Sequence, residues 1–290
     1  MGRDAEAENE RGRLLAADGD AQGAIVAYRA ATVADDSWSV PWFNLGLVYK
    51  YQGDWLSCTE CNRQALLRDP TDVGAWWNLG IAATAQGDWR EARLAWEGCG
   101  IDIPEGEGPL ELNYGLTPVR LNPSTRAEVV WCDRIDPARA IVRNVPLPES
   151  GHCYADLVLH DGAPTGTRVR NGKEVLVFDA LERLEASSFR TYVLDLPGST
   201  EEERSALEDV AFESAMAAED WSRSVRFLCQ QCSVGEPHEV HDRDLLGSRP
   251  ELAVAAAAED EKRLQELIDR WRIRSGYSGH VGITMADGDI

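Results

Sequence analysis

Gln52-Gly53-Asp54-Trp55 and Gln86-Gly87-Asp88-Trp89 are one four-residue word written twice, 34 residues apart. One further period upstream, Gly19 is again followed by an aspartate, Asp20. The same spacing lays Trp42-Phe43-Asn44-Leu45-Gly46 over Trp76-Trp77-Asn78-Leu79-Gly80. A fixed period of this length marks a helical array, in which each helix pair buries its apolar face only against its neighbours.

These residues resemble the tetratricopeptide (TPR) family, whose pattern combines Trp, Leu-Gly, a small residue near position 20 and Pro near position 32. Here the small residues are Ala24, Cys58 and Ala92, and the prolines are Pro70 and Pro104. The first repeat departs from the pattern: it keeps Gly12, Gly19, Ala24 and Tyr28 but has Glu8 and Asp36 where the family has Trp and Pro. An outermost, solvent-facing repeat tolerates that change. The resemblance covers roughly residues 5–104 and implies a concave, partner-binding groove built from the first helix of each pair. By resemblance its walls are Val40, Phe43, Leu47, Lys50 and Tyr51, then Gly74, Trp77, Ile81, Thr84 and Ala85. That column is aromatic and aliphatic with a single lysine. The family's carboxylate clamp is not recognisable, because Arg13 and Lys50 are the only bases and Asn44 and Asn78 sit one position off the column. An apolar groove of this kind suits an amphipathic helix or an apolar strand from a protein or peptide partner. The competing expectation is that the chain's own C-terminal part fills the groove, since no polar capping helix follows Pro104. The chain-long arrangement is also similar to bacterial proteins of this family.

Of the 290 residues, 27% are charged and 43% hydrophobic, the balance of a globular chain with room for more than one core. No apolar run approaches the roughly 18 residues of a membrane span. Basic residues number 29 against 50 acidic ones, a formal charge of −21. Such a field repels phosphate backbones, so nucleic acid is excluded as a direct ligand, while encounter with a basic protein is favoured. The acidic start, Met1 to Glu6, lacks an apolar leader, and a cytoplasmic location is expected. Seven cysteines, an odd number, point to reduced thiols or metal ligands before a disulfide framework.

Pro104-Glu105-Gly106-Glu107-Gly108-Pro109 ends the helical period. The expected organisation is a three-repeat array over 1–104, a linker over 105–117, an antiparallel sheet or small barrel over 118–188, and an α+β domain over 189–290. Val129–Trp131, Ala140–Val145 and Tyr154–His160 read as strands, and Asn171-Gly172 supplies the two φ > 0 residues of a type I′ hairpin turn. In the last region Phe189–Leu196 reads as a strand, and Thr200 with Glu203 as a capping box opening a helix to about Asp220. Val225–Leu228 reads as a strand and Ser248 with Glu251 as a second cap. Leu264, Leu267, Ile268 and Trp271 form a helical stripe, and Val281–Met285 closes the series. The fold class is therefore multidomain α + (α+β), the last domain suggesting a ferredoxin-like order.

Cys229, Cys232, His238 and His241 lie within thirteen residues, turned by Gly235 and Pro237, and could supply a tetrahedral Zn²⁺ set. A closed set of four would be structural; with one ligand missing, Glu236 or Glu239 could serve a zinc-bound water. The bland alternative is a loop with surface histidines. Cys58 and Cys61 share a helix face, but Cys58 takes the repeat's small-residue position and is expected to pack like alanine. His152, Tyr154, Asp156 and His160 alternate onto one strand face, where an extended chain would hold His152 and Asp156 about 13 Å apart, too far to share an ion. A polar solvent face is expected there. With no phosphate loop, nucleophile elbow or zincin motif, no catalytic residue is assigned. The leading expectation is an interaction module with a structural zinc. The alternatives are a zinc-dependent hydrolase in residues 110–290 and an acidic neutraliser of a basic toxin or nuclease.

Overall fold

In the computed structural model, which describes residues 3–125, 127–170, 172–221 and 254–286, six helices open the chain. They are α1 (Arg3–Ala17), α2 (Ala21–Ala34), α3 (Ser39–Gln52), α4 (Trp55–Arg68), α5 (Val73–Gln86) and α6 (Trp89–Gly98). The repeated Gly-Asp word has a double role. Gly19, Gly53 and Gly87 take φ of +83°, +70° and +69°, a left-handed conformation that ends a helix at no Cβ penalty. The following Asp20, Asp54 and Asp88 then cap the next helix, accepting from the backbone N of Gly23 (2.8 Å), Ser57 (3.1 Å) and Glu91 (3.1 Å).

A second triplet sets the distance within each pair. A Cβ on Gly12, Gly46 or Gly80 would lie 2.6 Å from the Tyr28 ring, 2.5 Å from Asn62 Nδ2 and 2.7 Å from the Trp96 ring. Tyr28, Asn62 and Trp96 are themselves one period apart, so each pair is closed by a large side chain over a missing one. Ala24, Cys58 and Ala92 are at most 1% exposed, which explains the small-residue position. Neighbouring pairs are tied by Asn44 Nδ2 donating to Asn9 Oδ1 at 2.9 Å and by the Arg63–Glu91 ion pair. After α6, Arg93 holds the proline-glycine segment, donating from Nη1 to the Pro104 carbonyl (2.7 Å) and from Nε to that of Gly108 (2.9 Å).

The chain divides into two compact units, Met1–Leu112 with Asp136–Ala138, and Asn113–Ile135 with Arg139–Ile290. The second unit holds two sheets. β1 (Gly115–Leu121), β2 (Glu128–Arg134), β3 (Arg139–Val142), β4 (Leu157–Arg170) and β5 (Lys173–Glu185) form a closed barrel in sequential order. Its neighbours are antiparallel except at the closure, where β1 and β5 run parallel with Val119 opposite Phe178. Val119, Leu121, Val130, Cys132, Ala140, Val142, Val158 and Ala180 fill its core. The β4–β5 hairpin runs to the Arg170–Lys173 pair, with Gly172 at φ +74°. β4 starts at Leu157, not at Tyr154 as expected, because Ala155 at φ +67° and a turn at Asp156 interrupt extended backbone there.

β6 (Arg190–Asp195), α7 (Glu201–Glu213), β7 (Ala217–Asp220), β8 (Val254–Ala258), α8 (Glu261–Ser275) and β9 (Gly282–Met285) complete the described elements. The sheet order is β7-β8-β6-β9 and all pairs are antiparallel. The Thr200–Glu203 capping box forms, with Leu207, Val210 and Ala211 buried beneath it. The helix ends at Glu213 instead of running on to Asp220, and the last four residues of that expected helix form edge strand β7. Asp260 caps α8 through the backbone N of Arg263 at 2.8 Å. The expected cap at Ser248 and strand at Val225–Leu228 lie outside the described residues. Strand β8 was not expected. Its Val254, Ala256 and Ala258 face Leu207, Leu264, Ile268 and Trp271, while Ala255 and Ala257 face Val145 and Trp221. All five are wholly buried, so a strand of methyl groups fits where both faces are covered.

Candidate functional site

The column implied by the resemblance lies on α3 and α5. Phe43, Leu47 and Trp77 are half-buried and Tyr51 is 63% exposed, whereas Lys50 and Ile81 are buried. Val40 is exposed, Gly74 and Ala85 are half-buried, and Thr84 is buried. The Phe43 ring lies against Gly74, whose Cβ would sit only 3.1 Å away, so the missing side chain lets the ring settle between the two helices. Trp77 meets Trp96 edge to face, with centroids 5.2 Å apart at 70°, an arrangement the ring quadrupoles favour. Lys50 Nζ stands 4.6 Å from the Tyr51 ring centroid, within cation–π range. The open part of the column, Val40, Phe43, Leu47, Tyr51 and Trp77, is aromatic and aliphatic, and the column's one basic residue, Lys50, is buried.

Cys58 and Cys61 are buried in the core of the first two pairs. Burial pushes both thiols up to about 12, which leaves them protonated and unreactive near neutral pH.

In the second unit the expected polar face is turned inward. His152 Nδ1 and Asp156 Oδ2 are 3.3 Å apart, because the chain folds back before β4 instead of running extended. The Asp156 carboxylate also accepts from the backbone N of Ser187 (2.8 Å) and of Cys153 (3.0 Å), with Arg183 at 3.4 Å. Burial works to raise its pKa, yet the His152, Ser187 and Cys153 hydrogen bonds and the Arg183 charge together hold it below the usual carboxylate value. Asp156 is thus a joint that closes the loop against the end of β5. His160 is wholly buried, its Nδ1 2.8 Å from the Asp161 carbonyl and its ring tilted against Phe178. Burial first, and the nearby Arg134 charge second, push its pKa down to about 4, so it is neutral at pH 7. Strand alternation alone places Asp156 and His160 outward; only the turn at Asp156 and the register shifts of β4 show otherwise.

Cys229, Cys232, His238 and His241 lie outside the described residues. Among the described residues, no three His, Cys, Asp or Glu side chains converge where they could hold a metal ion. Among the described residues no helix is long and apolar enough to cross a membrane.

Three helix pairs on one 34-residue period define the class of the first unit, a helical-repeat array. No protein-family model matches the chain, and no curated protein matches it. Solved structures do. The chain is similar to the second TPR of Spaghetti (RPAP3) bound to the HSP90 peptide SRMEEVD, with 25% identity and a TM-score of 0.33 over 33% of this chain and 90% of that one. It is similar to the TPR2B domain of yeast Sti1 in its pHsp70 complex, with 16% identity and a TM-score of 0.33 over 34% and 78%. The Sgt2 TPR domain from Aspergillus fumigatus is 22% identical with a TM-score of 0.32, over 34% of this chain and 65% of that one. Each of these similarities spans about a third of this chain.

Proposed function

We propose that the chain is a protein-interaction module whose helical array binds a protein or peptide partner through Phe43, Leu47, Lys50, Tyr51, Trp77 and Ile81. The observation that carries this reading is the column itself: Phe43, Leu47 and Trp77 keep part of their surface open beside the exposed Tyr51. Aromatic anchors of this kind dominate binding energy when a partner covers them. Replacing Phe43 and Trp77 together by alanine should abolish partner capture while helix content is retained; undiminished capture would remove the groove from the reading. The β6-α7-β7-β8-α8-β9 half reads as a ferredoxin-like, split βαβ domain, supported by its antiparallel β7-β8-β6-β9 order. A structural Zn²⁺ held by Cys229, Cys232, His238 and His241 belongs to the same proposal and rests on ligand type and spacing. Elemental analysis of the purified chain tests it directly, and a protein free of zinc after expression in zinc-replete medium would end it.

A further inference from the structure

The second unit carries a cleft of about 510 Å³ between the β1–β2 ladder of the barrel and edge strand β7, and every residue lining it belongs to that unit. The joint beside it is held by printed bonds of the fold itself: Asn144 Nδ2 donates to Glu219 Oε2 at 3.0 Å, and Trp221 Nε1 to the Val145 carbonyl at 3.0 Å. A preformed cavity of this size suits a small molecule. Its walls are largely apolar. Leu116 is 39% exposed and Phe212, in the last turn of α7, 84%, beside the buried Met216. Ala217 and Ala218 of β7 add two methyl groups. Ala215 takes φ +57°, a left-handed conformation that glycine enters without strain, so the chain keeps a methyl group in the lining against its backbone preference. Asp133, Arg143, Tyr154 and Glu208 complete the lining. Arg143 is already answered, its Nε 2.6 Å from Asp133 Oδ2. Next to Glu208, Asp220 is answered by Arg204 at 2.7 Å. Glu208 accepts through Oε1 from the backbone N of Asp220 at 3.1 Å, and among the described residues no cation pairs with it. The cleft therefore sets two carboxylates against one guanidinium, in a chain of formal charge −21.

We propose that this cleft binds a small amine with an apolar body. The body lies against Phe212, Leu116 and Met216, and the ammonium group meets the Oε2 oxygen of Glu208. Phe212 gives an aromatic ligand a partner for offset or edge-to-face packing. An organic anion of the same shape is refused, because the guanidinium that would receive it holds Asp133 and the charge left over is negative. The negative field of the whole chain draws a cation toward the site. The cleft is independent of the binding column on the helical array.

The test is isothermal titration of the full chain with tryptamine and, as the acid of like shape, indole-3-acetate. Tryptamine should bind at one site and the acid about tenfold more weakly or not at all. Two variants then locate the site. Glu208→Gln removes the charge and keeps a carbonyl acceptor for the Asp220 N–H, and Phe212→Ala alters a side chain that is 84% exposed, so both should fold as wild type does. Each should weaken tryptamine binding about tenfold, the first through a lost charge-assisted hydrogen bond and the second through lost aromatic contact. No isotherm at millimolar tryptamine, or equal affinity for the acid, would overturn the proposal. Undiminished affinity in either variant would assign the amine to the acidic surface at large and overturn the cleft as its site.

Discussion

Gly12, Gly46 and Gly80 meet Tyr28, Asn62 and Trp96 in one geometry three times over, whereas each packing solution in the second unit is used once. The array spreads its stability over equivalent joints. The barrel and sheet concentrate theirs in single residues such as Trp271, which is wholly buried, stacks on Tyr277 at 4.9 Å and donates to the Glu203 carbonyl at 2.6 Å. That difference teaches where damage travels: a lost joint in a repeat is felt by its neighbours, while a lost centre in the second unit is felt by the whole sheet and both helices.

The sharpest way to break the comparison is Trp271→Ala. Truncating a buried tryptophan costs about 3–5 kcal/mol, and here it also removes the hydrogen bond from Nε1 to the Glu203 carbonyl. Monitored by urea unfolding, the second unit's transition should move far to lower denaturant while the array's stays in place. A single transition shifted as one would show that the two units do not unfold separately.

Acid distinguishes the units next. His160 is held near a pKa of about 4 in the folded chain against an ordinary value of 6.5, so between those values the unfolded chain takes up a proton that the folded chain refuses. Its stabilising contribution is complete above pH 6.5 and is lost as pH falls through the window to about 4. The full loss is roughly 3 kcal/mol, confined to the second unit. Unfolding midpoints at pH 7 and pH 5 should diverge for wild type and converge for His160→Gln; an unchanged slope in the variant would assign the acid sensitivity elsewhere. The hydrogen-bonded Asp156, with its lowered pKa, adds a further loss at still lower pH, as its carboxylate is protonated.

Repetition is also what made one unit legible and the other not. In the array each role appears at several positions one period apart, so Gly-Asp could be read as the mark of a repeat and Ala24, Cys58 and Ala92 as its small-residue position from residue identity alone. The buried state of Lys50 and Ile81 was not legible, because sequence shows which side chains share a column and not how deeply each is buried. In the second unit the local signals that held were those with their own chemistry: the Thr200–Glu203 box and the Leu264–Trp271 stripe. Strand β8 escaped because alanine has low strand propensity, and only the covering of both faces makes it the right residue. Asp156 escaped because one left-handed residue, Ala155, turned an apparent strand into a loop. The zinc ligands stay legible only as spacing.

Gly80→Ala tests whether the repeated joint is as tight as its geometry. The new methyl would sit 2.7 Å from the Trp96 ring, in a pair whose other large contact, Trp77 against Trp96, leaves the ring little room. Overpacking of this kind costs about 1–3 kcal/mol. Gly46→Ala meets the Asn62 amide instead, which is buried and can turn aside only by giving up its Nδ2 bond to the Cys58 carbonyl at 2.8 Å, so it should cost more. Equal losses at the two sites would mean that backbone shifts, and not the facing side chain, absorb the strain.

The smallest effect sharpens the comparison most finely. Asp54 and Asp88 cap α4 and α6 through equivalent bonds of 3.1 Å, and Asp260 caps α8 in the second unit at 2.8 Å. Alanine at any one of them removes an acceptor from an orphan backbone N–H and should cost about 1 kcal/mol. Position then decides how that loss is read. At Asp54 or Asp88 the frayed turn joins the two helices of one stacked pair, so the array's transition should broaden as well as shift, its neighbouring repeats loosening in turn. At Asp260 the helix is pinned by Leu264, Leu267, Ile268 and Trp271, all at most 1% exposed, so the second unit's transition should move without broadening. The readout is the slope of each transition beside its midpoint; equal broadening in both units would mean that the array folds as cooperatively as the barrel and sheet.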